Sequence, residues 1–296
     1  MPASMQRHDR PALATTVLAA IVLAACSGGG PSPSPSPEPT PPGEASALLR
    51  VTTTQAIPPL DRFGSLPMIV ITLDGKVLSG GAVPAIFPGP LVQPVIQRQL
   101  TSTGWSKIVA AARAAGLLTG QHDFTGGGLA PGSVAARLEI VADGRLFDLM
   151  GDPSRFIVCV TAPCTPAAGS PEAFGMFISN LTMLDSWLAG DLGQQASYTP
   201  VAYALLVGPP PNQQGLEQPI LPWPLADGLA AFGKPLADGS GRRCGTTGVD
   251  ATLALHPAFA AANQLTRWRD PVDSARRGVV VQPLLPGDTD PCVGLV

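Results

Sequence analysis

The chain has 296 residues, of which 13% are charged, and its formal net charge is −3. This near-neutral balance excludes the strongly basic surface with which proteins bind nucleic acid, so we expect no nucleic-acid partner. The 34 prolines and 33 glycines predict many turns between short elements.

Residues 1–25 are typical of a lipoprotein signal peptide. Arg7 and Arg10 precede the segment PALATTVLAAIVLAA, which is too short to span a bilayer comfortably. The sequence LAAC, ending at Cys26, fits a bacterial lipobox, in which the thiol receives a diacylglyceryl group with chains such as palmitate. We therefore expect Cys26 to attach an extracytoplasmic protein to the bacterial cell membrane. The alternative is an ordinary signal peptide that leaves Cys26 as a free thiol.

Residues 26–50 predict a disordered tether after the lipidated cysteine. The stretch from Ser27 to Gly43 contains no aliphatic or aromatic residue, so it cannot bury surface to offset its ordering entropy. Its alternating prolines favour an extended polyproline II conformation of about 3 Å per residue, which gives a reach of roughly 50 Å.

The segment 51–210 predicts a loop-rich α+β body with two hairpin-helix units. The first unit has a hairpin with a type I′ turn at Asp74-Gly75, followed by a helix from Thr101 to Gly116. The second has a hairpin at Asp143-Gly144 and a helix from Ser170 to Gly190, whose apolar stripe we interpret as core. We expect antiparallel sheets with helices on one face, built on a duplicated ββα plan.

The last part of the chain divides into a connection and a small unit. Prolines and glycines dominate residues 211–240, and residues 241–296 predict a disulfide-closed C-terminal α+β unit. A helix falls between Asp250 and Gln264, and we place Pro257 in its first turn because a proline deeper inside removes a hydrogen bond.

Five cysteines become four once Cys26 is assigned to lipid: Cys159, Cys164, Cys244 and Cys292. An even number outside the cytoplasm predicts two disulfides, and proximity in sequence favours Cys159 with Cys164 and Cys244 with Cys292. A zinc site with four thiolates is the alternative, although it lacks a second C-x-x-C pair.

Candidate catalytic residues are few. His122, beside Asp123 in a glycine-rich loop, is the best candidate base, but no G-x-S-x-G elbow marks a nucleophile. Gly228 to Lys234 match the skeleton of a phosphate-binding loop, although Pro235 stands where the magnesium-binding hydroxyl should be. We therefore assign no catalytic residue, cofactor or metal site.

Two further patterns have a structural and a functional interpretation. Asp288 and Asp290 could supply oxygens to calcium, but a full site takes six or more ligands, so we interpret them as turn residues. Trp223, between two prolines, could be an exposed aromatic contact, but we favour an anchor of the connection in the core.

Four segments carry a resemblance to known proteins: ITLDGKVLSGGAVPAIFPGPL, RRCGTTGVDA, AANQLTRW and VVVQPLLPGDTDPC. With these segments the chain, over about residues 66–294, resembles a group of uncharacterised exported proteins and lipoproteins of high-GC bacteria. The resemblance implies an extracytoplasmic location and paired cysteines, and it implies no particular reaction.

The sequence favours a non-catalytic binding or structural module of the cell envelope, anchored to the membrane by lipid. Its expected partner is an envelope protein, a peptide or a wall component. The alternatives are an envelope hydrolase that uses His122 and Asp123, and an interaction protein similar to a protease inhibitor.

Overall fold

A computed structural model describes residues 47–54, 59–128, 133–155 and 165–296. The predicted signal peptide, Cys26 and the predicted disulfide between Cys159 and Cys164 lie outside the described residues. Two sheets and four α-helices form the described part, all of it within one compact unit. The predicted α+β fold class is confirmed.

In the described residues, the first sheet has eight strands: β1 (Leu49–Thr54), β2 (Ile69–Ile71), β3 (Lys76–Gly80), β4 (Val95–Gln99), β5 (Asp123–Phe124), β6 (Ala135–Ala142), β7 (Arg145–Gly151) and β8 (Ala196–Ser197). Their order is β5-β7-β6-β1-β2-β3-β4-β8, antiparallel except where β5 runs parallel to β7. Alternation along β6 buries Leu138 and Ile140 and turns Arg137 and Glu139 to the other face. β1 begins at Leu49, inside the segment that the sequence assigned to the tether.

Three helices belong to the buried face of this sheet: α1 (Ser102–Ala114), α2 (Pro171–Thr182) and α3 (Leu184–Trp187). The side chain of Thr101 accepts a hydrogen bond from Gly104 N at the start of α1, and that of Ser170 accepts one from Ala173 N at the start of α2. The predicted stripe of α2 is buried with the sheet, so the core interpretation is confirmed.

The two predicted hairpins form, but their turns differ. Asp143 and Gly144 both have positive φ, 52° and 74°, as a type I′ turn requires. At Asp74-Gly75 the predicted type I′ turn is wrong, because only Gly75 has positive φ and the loop has three residues closed between Thr72 and Lys76. The Thr72 hydroxyl accepts from Lys76 N and stabilises this wider loop.

The second sheet has six strands among the described residues: β9 (Tyr203–Gly208), β10 (Ile220–Pro222), β11 (Lys234–Pro235), β12 (Arg243–Thr246), β13 (Arg267–Arg269) and β14 (Arg276–Pro283). Their order is β10-β13-β14-β9-β12-β11, with only β10 and β13 parallel. The strand β9, which the sequence placed in the 51–210 body, is central here. Its continuous apolar run needs cover on both faces, which this position supplies.

Helix α4 (Val249–Ala260) covers one face of the second sheet, and Pro257 lies inside it. The prediction that Pro257 marks the first turn is wrong. The helix tolerates the proline because Leu253, four residues earlier, and Pro257 are both exposed, so water can satisfy the freed carbonyl. Leu255 and Phe259 are buried on the opposite side together with Trp223, which confirms the anchoring role expected for that tryptophan.

The face of the first sheet opposite the helices is only half covered. Val70, Leu78 and Val95 pack there against Leu285, from the segment after β14. The neighbouring part, formed by β1 and β6, carries the polar side chains of Arg50, Arg137 and others instead. We call this open part of the sheet the outer face.

Candidate functional site

In the structure, the side chains of His122 and Asp123 are hydrogen-bonded to different groups and not to each other. The Nδ1 atom of His122 lies 2.9 Å from the backbone oxygen of Asp148, at the edge of the first sheet. The carboxylate of Asp123 accepts a hydrogen bond from Thr125 N at 2.8 Å, and this bond lowers the pKa of Asp123. The carboxylate is therefore bound to a turn and does not orient the imidazole.

The phosphate-loop pattern has a structural explanation in Asp270, a buried residue that is 1% exposed. Its Oδ2 atom accepts from Ala230 N at 3.0 Å, inside the Gly228–Lys234 segment. A Cβ atom at Gly228 would lie 2.6 Å from the Asp270 Oδ1 atom, so the position requires glycine. The segment is therefore hydrogen-bonded to a carboxylate of the protein itself.

The structure contains the disulfide between Cys244 and Cys292, with a sequence separation of 48. Cys244 belongs to β12, and both cysteines are buried together with Leu206 and Leu236. Disulfide-bonded sulfurs are not thiolates, so this pair cannot belong to the alternative zinc site. Within the ranges that the structure describes, no group of three or more His, Cys, Asp or Glu residues could hold a metal ion.

A cleft of about 860 Å³ lies over the outer face. Side chains of β1 and β6, such as Thr52 and Arg137, form its floor. One wall is the segment from Arg62 to Pro67, and the other is the segment from Gly287 to Val293. We call this feature the outer-face cleft; it contains both charged and apolar side chains.

A buried ion pair holds the second wall in place. Arg50 on β1 pairs with Asp288, and the two side chains are only 9% and 8% exposed. Arg50 also donates to the backbone oxygen of Pro286, and the other oxygen of Asp288 accepts from Leu285 N at 2.7 Å. Asp290 Oδ1 accepts from Cys292 N at 2.9 Å. Asp288 and Asp290, which the sequence offered as possible calcium ligands, are therefore both hydrogen-bonded within the wall.

Arg137 is fixed at the floor by two carboxylates. It donates two hydrogen bonds to Asp148, at 2.8 and 2.7 Å, and lies 3.2 Å from Glu139. These bonds, chiefly those to Asp148, raise the pKa of Arg137. The floor therefore presents a cation whose charge is already paired with carboxylates of the protein.

Arg62 is the exception among the arginines of the cleft. It ends the short 3₁₀ helix Pro59–Arg62 and is half-buried. Within the described parts of the chain, its side chain has no hydrogen-bond or ion-pair partner, whereas those of Arg50 and Arg137 do. The cleft could not be predicted from the sequence, because its charged groups come from three distant segments.

Comparison of the chain with protein families, curated proteins and solved structures finds no match. The resemblance to exported proteins therefore stays a prediction, and any role of the outer-face cleft rests on its own geometry. Of the helices in the described ranges, none combines the length and apolarity that crossing a bilayer demands.

Proposed function

We propose that the protein is a lipid-anchored, extracytoplasmic binding protein of the bacterial cell envelope, which binds its partner in the outer-face cleft without chemical turnover. The observation that carries the proposal is the cleft of about 860 Å³ with its mixed charged and apolar lining. Its volume lies within the range of about 300–1,000 Å³ typical of ligand sites. The lipobox at Cys26 and the proline-rich tether support the anchored location.

The rigidity of the cleft supports binding. The Arg50–Asp288 ion pair and the Cys244–Cys292 disulfide both act on the C-terminal wall, and the floor is a paired sheet. A site that needs little ordering on binding loses less entropy, which favours affinity.

The positions and partners of the charged side chains also favour binding over hydrolysis. A general base must lie within hydrogen-bond reach of the proton that it removes. Arg50 with Asp288 and Arg137 with Glu139 neutralise one another in the cleft. Among the described residues that line it there is no histidine, and His122 is hydrogen-bonded at the sheet edge.

The anchor can be tested separately from the cleft. We expect the full chain, expressed in an exporting bacterium, to incorporate radiolabelled palmitate, and the Cys26→Ala variant to lose the label. Cys244→Ala serves as the matched control, because it removes a different cysteine and should keep the label. Label that persists in Cys26→Ala, or is absent from the wild type, contradicts the proposed anchor.

The cleft is tested by filling it. Thr52→Trp places an indole on the floor, and Thr182→Trp places one at the exposed end of α2 as the control. Binding of short free-ended peptides and of muramidase-released wall fragments is measured by calorimetry on the full chain in detergent micelles. We expect saturable binding that Thr52→Trp abolishes and Thr182→Trp retains.

Two results would overturn the proposal. If neither probe binds, or if Thr52→Trp binds as well as the wild type, the cleft is not a binding site. Turnover of either probe that is lost in His122→Ala replaces binding with the hydrolase alternative.

A further inference from the structure

We infer that the outer-face cleft recognises a peptide with a free carboxylate and a free ammonium group, with Arg62 binding the carboxylate and Asp290 the ammonium. The inference rests on the proposed function, because it names the ligand class of the same cleft.

The charges of the cleft lining divide into paired and available groups. Three arginines and three acidic residues line the cleft, so their formal charges cancel. Arg50 is paired with Asp288, and Arg137 with Glu139 and, outside the lining, with Asp148. Within the described residues, the charges left without an ion-pair partner are those of Arg62 and Asp290.

Arg62 is suited to a carboxylate. Its guanidinium carries five N–H donors in a planar fork that matches a carboxylate in a bidentate arrangement. The side chain is half-buried and has no partner within the described residues. A carboxylate that enters the cleft therefore does not have to displace a carboxylate of the protein.

Asp290 offers the opposite charge on the facing wall. Its Oδ1 atom accepts from Cys292 N, which leaves Oδ2 without a hydrogen bond from the described residues. Asp290 and Arg62 do not form an ion pair with each other, although both line the cleft. A ligand with both charges can therefore bridge the two walls.

The groups between these two charges fit a peptide chain. The hydroxyls of Thr52 and Ser65 line the cleft, and neither has a hydrogen-bond partner among the described residues. Phe63, Leu66 and Pro291 add apolar surface. Amide groups and small side chains of a peptide need both kinds of contact.

Tetra-alanine is a suitable probe, because its only charges are its two termini. Three forms are compared by calorimetry on the full chain in detergent micelles: the free-ended peptide, the N-acetylated peptide and the C-amidated peptide. We expect each blocked form to bind about 10-fold more weakly than the free peptide, because each loses a charge-assisted hydrogen bond.

Matched variants assign each terminus to a residue. In Arg62→Gln, we expect the amidated and free peptides to bind equally, while acetylation still weakens binding. In Asp290→Asn, which can keep the turn to Cys292 N, we expect the reverse. Arg145→Gln makes the same charge change at an exposed position outside the cleft lining and should behave as the wild type. Melting curves verify that each variant folds.

The outcomes separate this inference from the proposed function. If all three peptides bind equally and Thr52→Trp abolishes the binding, the cleft is a binding site but the recognition of termini is wrong. If tetra-alanine does not bind while wall fragments bind in a manner sensitive to Thr52→Trp, the peptide class is wrong. If neither probe binds, both proposals fail.

Discussion

The two sheets of this protein are stabilised in different ways. Two of the three helices on the first sheet, α1 and α2, begin at side-chain caps, Thr101 and Ser170, and pack on strands with regular alternation. Helix α4 of the second sheet begins at Gly248 without a side-chain cap and contains Pro257. Local signals thus support the first region, whereas the second depends on contacts between residues distant in sequence.

An aromatic cluster supplies many of those distant contacts. The ring of Trp268 lies 5.5 Å from that of Trp223 and 5.8 Å from that of Phe259, and Tyr203 lies 5.3 Å from Phe259. These residues come from β9, β13, α4 and the connection after β10. The cluster therefore holds α4 against this sheet, although the helix has no side-chain cap and contains a proline.

Removing the centre of the cluster should have the largest effect. Trp268 is fully buried, so we expect Trp268→Ala to lower the free energy of unfolding by about 5 kcal/mol, at the upper end for such changes. Urea unfolding followed by circular dichroism measures this loss.

The control is Trp268→Phe, which keeps a ring in the cluster. Within the described residues, Trp268 Nε1 is a buried donor without an acceptor, and phenylalanine removes it. Relief of that unpaired group offsets part of the lost volume, so we expect a loss below about 2 kcal/mol. An equal loss in both variants contradicts the role of the ring contacts.

The disulfide is the second support of this region. Its separation of 48 residues predicts that the double variant Cys244→Ala/Cys292→Ala loses about 4 kcal/mol, mainly because the unfolded chain gains freedom. The same unfolding experiment measures it, and the wild type under reducing conditions should lose at least as much, because reduction also breaks the predicted Cys159–Cys164 pair. A loss below about 1 kcal/mol would show that contacts such as Arg50–Asp288 hold the C-terminal segment unaided.

The difference between the two regions also explains what the sequence could predict. The turn at Asp143-Gly144 and the stripe of α2 follow from local rules, and the structure has both. The position of Pro257 inside α4 could not be predicted, because packing of Phe259 with the tryptophans overrides the local preference. The cleft could not be predicted either, because Arg62, Arg137 and Asp290 share no local sequence pattern.

Helix caps offer a sharper comparison of the two regions. Ser170→Ala removes the cap of α2 and should lower the free energy of unfolding by about 1 kcal/mol. Gly248→Ser supplies a cap to α4 and should raise it by about 0.5 kcal/mol, since it also restricts the unfolded chain. The new Cβ atom has no heavy atom within 4 Å, and the φ of −76° is free of strain. Thermal unfolding measures both changes, and destabilisation by Gly248→Ser would contradict the account of α4.

The smallest expected effect depends on pH and concerns the turn between β13 and β14. Hydrogen bonds from Arg277 and from Ala275 N lower the pKa of Asp273 to about 2. Because the folded state favours the ionised carboxylate, its contribution to stability is complete above the ordinary aspartate pKa of about 4. The contribution then declines as the pH falls from about 4 and through about 2.

Asp273→Asn should therefore melt at a lower temperature than the wild type between pH 5 and pH 8, by an amount that does not change with pH. The difference should shrink below pH 4 and disappear by about pH 1, below the folded-state pKa of about 2, which serves as the internal control. The effect should be small, because the carboxylate is 40% exposed and solvent screens its charge. A difference that persists at about pH 1 would mean that the asparagine disturbs the turn for a reason other than the lost charge, and it would contradict this account of Asp273.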